Sequence, residues 1–214
     1  MKVKWLLAVL GLGFLVPAGL FAQSVSDLAD RVQQTYEQAQ DLGIDFTQKT
    51  YVALLEREVA KRGRATFKKP GKLAIRYEGE RGRNYLSDGK TLWVFETGDA
   101  KPETYPLDEE NVPAEALSFL GGLGRLKRDF AVEEVDPKKW AQLKAERGQL
   151  QWMELTPLKK RSSLQWLVMG FDPKTAYARE VFLFTDSGNL SHYVFDKVEL
   201  NLGLGDELFV FKKK

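Results

Sequence analysis

The spacing of apolar residues changes from a helical period to a period of two about forty residues into the chain. Between Ser26 and Leu42 apolar side chains recur every three or four positions, with Ser26 placed to cap the helix and Gly43 just past its end. Beyond this point apolar and polar residues alternate between turn residues, which predicts a meander of antiparallel strands. We predict strands over residues 44–52, 61–68, 73–77, 84–87, 91–95, 130–135, 149–155, 164–171, 179–185, 190–201 and 209–211.

One predicted strand has large apolar side chains on both faces. After the tight turn at Asp88-Gly89, Trp93 and Phe95 point to one face, while Leu92 and Val94 point to the other. An open sheet of about ten or eleven strands usually curls, and curling produces a concave face. We therefore expect helices to lie across this face, so that Trp93 and Phe95 look into a cavity beneath them.

The middle of the chain interrupts the strand pattern. Prolines 102, 106 and 113 disfavour regular sheet, and residues 113–120 have the pattern of a short helix with proline in its first turn. Gly121, Gly122 and Gly124 follow and give the backbone freedom. We expect a helical insert between two blocks of strands.

The first 22 residues have the layout of a secretory signal peptide. Lys2 and Lys4 precede an apolar stretch, and Pro17 and small residues lead to a predicted cleavage site after Ala22. Pro17 and the shortness of the apolar stretch disfavour the alternative, an uncleaved membrane anchor. The sequence thus predicts that residues 1–22 are removed and that residues 23–214 form a single exported domain.

Charge and cysteine content limit the classes of function. The chain has 32 basic and 30 acidic residues, and without Lys2 and Lys4 the two counts are equal. A near-neutral protein is not expected to offer a broad binding surface for nucleic acid or for anionic lipid. Since the chain has no cysteine, a packed core rather than disulfides must stabilise it outside the cytoplasm.

The sequence offers little support for catalysis. His192 is the only histidine and lies within a predicted strand, and there is no cysteine to act as nucleophile or metal ligand. The acidic pairs, such as Glu133-Glu134, are adjacent in sequence and point to opposite sides of a strand. We therefore predict no enzymatic activity, no metal site and no cofactor.

Several motifs, in order, resemble the periplasmic outer-membrane lipoprotein carrier family, LolA. They are Phe46-Thr47-Gln48-Lys49, Lys69-Pro70-Gly71-Lys72-Leu73, Ser87-Asp88-Gly89-Lys90-Thr91-Leu92-Trp93, Asp186-Ser187-Gly188-Asn189 and Phe209-Val210-Phe211. The similarity covers nearly all of the exported part of the chain. It implies a mostly β fold of the α+β class, an incomplete antiparallel β-barrel with helices across its concave face as a lid.

The resemblance also implies a function. Members of this family shelter the acyl chains of lipoproteins in the periplasm, receiving them from an inner-membrane lipoprotein-releasing ABC transporter and passing them to an outer-membrane lipoprotein acceptor. A monomer would suit such a shuttle. Two alternatives stay open, namely a carrier for another lipid, such as a glycolipid or pigment-associated lipid, and a lipid-sensing regulatory module on the same scaffold.

The resemblance and the alternation together select candidate site residues. The family closes its lid with an arginine before the proline that begins the third strand, and here that position is Lys69. Alternation alone does not show which strand face lies inside, and an ordinary packed core remains the alternative for the whole set. The predicted acyl-chain cavity is lined by Val32, Tyr36, Leu73, Ile75, Tyr77, Tyr85, Trp93, Phe95, Leu117, Leu120, Trp152, Trp166 and Phe182.

Overall fold

Eleven antiparallel strands form one open sheet in the computed structural model, which describes residues 19–79, 82–107, 125–143, 148–159 and 163–212. The order across the sheet runs from β6 through β5, β4, β3, β2, β1, β11, β10, β9 and β8 to β7. Because the described sheet ends in two edge strands, the barrel is incomplete, as predicted. The strands are β1 Asp41–Val52, β2 Arg57–Lys68, β3 Lys72–Tyr77, β4 Arg83–Asp88, β5 Thr91–Glu96, β6 Glu103–Pro106, β7 Phe130–Glu133, β8 Gln151–Pro157, β9 Leu164–Phe171, β10 Ala178–Thr185 and β11 Leu190–Leu200.

The described residues contain few helices, and one of them is long. Helix α1, Gly19–Gln38, places its apolar stripe against one face of the sheet. Two shorter helices of the described residues belong to the second half of the chain, α2 at Leu126–Asp129 just before β7 and α3 at Pro137–Leu143 between β7 and β8. The helix predicted at residues 113–120, with Leu117 and Leu120, lies outside the described residues.

Helix α1 ends before the predicted boundary at residue 42, because Asp41 already belongs to β1. The buried Asp41 carboxylate accepts hydrogen bonds from the backbone N–H groups of Leu202, Gly203 and Leu204 at 2.5, 2.9 and 3.0 Å. A carboxylate fixed by three backbone donors holds the chain extended at this point. These hydrogen bonds to Asp41 could not be predicted from the helical spacing of the apolar residues.

The predicted break around the prolines is partly wrong, because β6 forms between two of them. Pro106 is the last residue of β6 and lies opposite Thr91 of β5. Because β6 is an edge strand, one of its sides forms no hydrogen bonds to another strand of the sheet. A proline, which lacks the backbone N–H, is tolerated on that side. The first block therefore contains one strand more than the alternation predicted.

The last predicted strand, residues 209–211, is also wrong. Residues Asp206–Phe209 form a 3₁₀ turn, and Phe209 at its end is fully buried. Phe211 reaches the same side of the sheet, where its ring contacts Phe95 edge to face at 5.1 Å between centroids. The alternation of Phe209 and Phe211 thus reflects packing of both rings against side chains on the sheet surface. It does not reflect an additional strand.

Candidate functional site

The face of the sheet that α1 covers, here called the helix-covered face, holds the largest apolar cluster of the described residues. Leu28, Ala29, Val32 and Tyr36 form a buried stripe along α1. Strands from both halves of the sheet contribute to the same cluster, which shows that the sheet wraps around the helix. Strand members include Ile44, Phe46, Leu73, Ile75, Tyr77, Leu92, Val94, Met153, Leu155, Met169, Phe171 and Tyr193.

Six of the predicted cavity residues lie on the helix-covered face. Val32, Tyr36, Leu73, Ile75 and Tyr77 are buried in its cluster, and the half-buried Tyr85 packs against it. The prediction omitted Leu92 and Val94, which are buried in the same cluster. The alternation along β5 places both residues on one face, but the prediction assigned the opposite face to the cavity.

The placement of Trp93 and Phe95 beneath the helix is wrong. Both are half-buried on the opposite face, here called the outer face, where they pack with Leu86 and Phe209. The strand register agrees, because Trp93 pairs directly with Leu86. Both faces of β5 are apolar because the C-terminal segment packs on one of them, while Leu92 and Val94 on the other belong to the large cluster that also contains residues of α1. The large aromatic residues therefore did not mark the interior.

Trp152, Trp166 and Phe182 also lie on the outer face, so their predicted place in the cavity is wrong as well. They form a separate cluster with Leu143 and other residues. Trp140 of α3 contacts Trp152 edge to face, with 5.0 Å between ring centroids. The sequence analysis did not predict α3, and without this cover a second buried face was not expected.

Lys69 ties the end of α1 to the turn between β2 and β3. Its ammonium group donates hydrogen bonds to the backbone oxygens of Tyr36 and Glu37 at 3.0 and 2.6 Å. Carbonyls in the last turn of a helix have no partner within the helix and carry the negative end of its dipole. The residue predicted as a latch therefore contacts a helix that covers the sheet.

Tyr36 places a polar group within the helix-covered face. Its hydroxyl oxygen accepts a hydrogen bond from the backbone N–H of Ala178 at 3.0 Å. Burial raises the pKa of Tyr36 above its ordinary value, since the phenolate would lose its hydration there. The side chain therefore stays neutral and joins the last turn of α1 to the start of β10.

Three further contacts hold the central part of α1, between Ser26 and Arg31. The Arg31 guanidinium donates to the backbone oxygen of Pro173 at 2.5 Å. The ammonium of Lys127, in α2, lies 2.5 Å from the Asp30 carboxylate and donates to the Ser26 hydroxyl at 3.2 Å. Helix α1 is thus held at separate polar points along an apolar stripe.

A groove of about 720 Å³ opens beside the first half of α1. Apolar side chains of β7 contribute to it, together with charged groups from both sides. Its lining residues are Val25, Ser26, Lys127, Phe130, Val132, Glu133 and Glu134. The groove gives access to the side of α1 that faces strand β7.

Metal-binding groups and membrane-spanning helices are both absent from the described residues. Within residues 19–79, 82–107, 125–143, 148–159 and 163–212, no three His, Asp or Glu side chains gather as a metal-binding group. In the same ranges, no helix combines the length and hydrophobicity needed to span a membrane.

Comparison with known proteins identifies the family. The family model described as outer membrane lipoprotein carrier protein LolA matches residues 37–212, a range that includes Lys69 and all eleven strands. The chain belongs to the LolA family. An outer-membrane lipoprotein carrier protein of Chromobacterium violaceum is 25% identical over 196 residues, covering 92% of this chain and 88% of that protein. One from Coxiella burnetii is 24% identical over 211 residues, covering 98% and 94%.

A solved structure shares the fold of this LolA family member. An uncharacterized conserved protein from Thermus thermophilus superposes with a TM-score of 0.51, covering 89% of this chain and 96% of that one. The two sequences are 11% identical, so this likeness concerns the fold alone. The family resemblance drawn from the sequence motifs is confirmed.

Proposed function

We propose that this LolA family member carries lipoproteins through the periplasm, sheltering their acyl chains between the sheet and α1. The observation that carries the proposal is the large apolar cluster of the helix-covered face, closed by a helix that a few polar contacts hold in place. The family match and its relatives, named as lipoprotein carriers, support the cargo class. Cargo would come from an inner-membrane ABC transporter and go to an outer-membrane acceptor.

The physical need for such a carrier is large. A triacylated lipoprotein carries three chains of about fifteen methylenes, and exposing them to water costs about 35 kcal/mol at roughly 0.8 kcal/mol per methylene. Free diffusion across an aqueous compartment would therefore be negligible. A carrier that covers the chains removes most of this cost.

Helix α1 also supplies a reason for release. In the closed structure its buried stripe occupies the surface that acyl chains would contact. Cargo must displace the helix, so closure of α1 competes with the cargo for the same apolar face. This competition lowers the affinity for acyl chains and favours their transfer to an acceptor that holds them without such a competitor.

The proposal includes the compartment and the processed form. Residues 1–22 would be removed after Ala22, and residues 23–214 would act in the periplasm as a single domain and as a monomer. Lys69 would act as the latch that the family resemblance assigns to an arginine, through its contacts with the last turn of α1. Arginine and lysine differ as donors, so the two latches need not be equally strong.

Co-purification tests the cargo class. The protein is expressed with its own leader, purified from the periplasm without detergent and analysed by mass spectrometry for bound molecules. Recovery of triacylated peptides is the expected result. Phospholipid or glycolipid alone would favour a carrier for another lipid, and a protein partner without lipid would favour a regulatory module. Either of these outcomes would contradict lipoprotein transport.

A pair of matched variants tests the binding face. Tyr85 and Trp93 are half-buried aromatic residues on neighbouring strands, but they lie on the helix-covered and outer faces respectively. Tyr85→Lys should weaken binding of a triacylated lipopeptide by about tenfold or more, because it places a charge beside the acyl chains. Trp93→Lys should leave binding within about twofold. Fluorescence titration with the lipopeptide measures both, and equal effects would show that the helix-covered face is not the binding surface.

A further inference from the structure

Three large apolar side chains are exposed together at the tip of the hairpin that joins β1 and β2. Leu54 is 92% exposed, Leu55 is 53% exposed and Tyr51 is 46% exposed. Residues Ala53–Leu55 form a 3₁₀ turn, here called the hairpin tip. Exposed apolar side chains that gather at one place on a surface mark an interaction site more often than singly scattered ones do.

The hairpin tip stands at the end of a well-paired arm. Strand β3 pairs with β2 only between Gly63 and Lys68, so residues 57–62 of β2 pair with β1 alone among the described strands. On the other side, β11 follows β1 as far as Tyr51, and the Ala53 N–H donates to the Asn189 side chain at 3.0 Å. The leucines are therefore presented on a supported projection.

The arm behind the hairpin tip is rich in exposed charge, and positive charge exceeds negative. Basic groups near projecting apolar side chains are what binding at an anionic lipid surface requires, because the ammonium and guanidinium groups contact headgroup phosphates. The exposed charged residues of the arm are Lys49, Arg57, Lys61 and Arg62, which are basic, and Glu56 and Glu58, which are acidic.

We propose that the hairpin tip docks on the surface of an anionic phospholipid bilayer, with Leu54 and Leu55 inserted at the boundary between headgroups and acyl chains. Tyr51, at the base of the tip, would lie at headgroup level, where a ring with a polar end is favoured. A fluid bilayer accommodates projecting leucines without a preformed groove, whereas a protein partner must supply a complementary pocket. Docking would hold the carrier at a membrane whether or not it contains cargo.

Vesicle sedimentation tests this proposal with protein free of cargo. The chain is purified from the periplasm, and mass spectrometry verifies its N-terminus and the absence of bound lipid. The protein should bind vesicles of phosphatidylglycerol and phosphatidylethanolamine more tightly than vesicles of phosphatidylcholine, and the difference should shrink as salt screens the basic residues. Leu54→Asp should weaken binding by about tenfold or more, and Leu54→Ser, which adds no charge, by about fivefold.

The control places the same change at the opposite end of the sheet. Leu208 is 42% exposed in the C-terminal 3₁₀ turn, which Asp206 ties to Lys68 at the far end of β2 and to Lys72 at the start of β3. Leu208→Asp should bind the vesicles like the wild type. The proposal is overturned if the wild type fails to bind the anionic vesicles, or if Leu54→Asp and Leu208→Asp bind equally. It is also overturned if Leu54 is found to mediate self-association instead. None of these results would alter lipopeptide binding, so the proposed cargo is tested separately.

Discussion

Lys69 shows what one side chain contributes to the covering of the sheet. Sequence resemblance placed it at the family's latch position, and the structure places its ammonium on two carbonyls in the last turn of α1. A lysine offers three donors from a single charged point, so it can serve two neighbouring carbonyls without a planar fork. Its own backbone N–H also donates to Gln40 at 2.9 Å, which fixes the position of the side chain relative to the helix.

Replacing Lys69 tests the latch directly. Lys69→Met keeps the length of the side chain but removes both hydrogen bonds, so α1 should separate from the sheet more often. We expect stronger binding of a hydrophobic dye and faster amide exchange in the second half of α1. Lys69→Arg should keep α1 closed more often than Lys69→Met does, since the guanidinium can still donate to the carbonyls. Unchanged dye binding in Lys69→Met would remove Lys69 from the mechanism.

Asp206 fixes the C-terminal segment through charge. Its carboxylate lies 2.7 Å from the Lys68 ammonium and 2.6 Å from that of Lys72. Hydrogen bonds from Lys68 and then Lys72 lower the pKa of Asp206 to about 2, from an ordinary value of 3.8. A lowered pKa in the folded state means that the contribution to stability is complete above about pH 4 and is lost as the pH falls through 2.

The pH dependence of one variant checks this assignment. Asp206→Asn should lower the urea midpoint of unfolding at pH 7, because the two lysines lose their shared carboxylate. The difference from the wild type should shrink between pH 4 and pH 2 and vanish below that range. The effect should be small, since Asp206 is largely exposed to solvent. A difference that persists at the lowest pH would show that the carboxylate charge is not its cause.

At the level of elements, strand positions could be predicted from the sequence, but strand faces could not. The alternation in β5 places Leu92 and Val94 opposite Trp93 and Phe95 and says nothing about which pair is inside. That choice depends on which segments cover each face, and both α3 and the turn at Asp206–Phe209 were missed. The prediction placed Trp93 and Phe95 inside, yet the fully buried aromatic residues of the helix-covered face are others, namely Phe46, Phe171 and Tyr193.

A double-mutant cycle tests how the C-terminal segment covers the outer face. Phe95 and Phe211 are in edge-to-face contact at 5.1 Å, and both belong to the outer-face cluster. Phe95→Ala and Phe211→Ala should each lower the free energy of unfolding, with a coupling of about 0.5–1.5 kcal/mol between them. Lipopeptide binding should change little in either variant. Additive effects on urea unfolding would show that the two rings are energetically independent.

At the scale of the whole molecule, the order of motifs predicted more than any single pattern did. Antiparallel pairing followed from the alternation and the turn residues, and the open barrel from the family resemblance and from the curling of large sheets; the structure confirms both. Features particular to this chain were not predictable in that way. The exposed hairpin tip is one example, because Leu54 and Leu55 lie between two strand patterns and only their exposure distinguishes them from core leucines.

Because the chain has no cysteine, two introduced cysteines can be linked selectively, and such a link tests the proposed movement of α1. Asp30→Cys with Lys127→Cys replaces the ion pair between α1 and α2, and a short cleavable bis-maleimide linker would then join the two helices. If cargo must displace α1, the linked protein should lose lipopeptide affinity by about tenfold or more, because the open state is no longer reached. Cleavage of the linker should restore binding.

The same linker placed within the sheet is the control. It distinguishes a loss of binding caused by restricting the helix from a loss caused by the chemical modification itself. Asp45 and Arg64 face each other across β1 and β2 and form an exposed ion pair at 2.6 Å, so Asp45→Cys with Arg64→Cys joins residues that have no reason to separate. This linked protein should bind lipopeptide like the wild type. If linking α1 to α2 leaves binding equally unaffected, acyl chains reach the interior while α1 stays beside α2, and the groove lined by Lys127, Phe130 and Val132 becomes the route of entry.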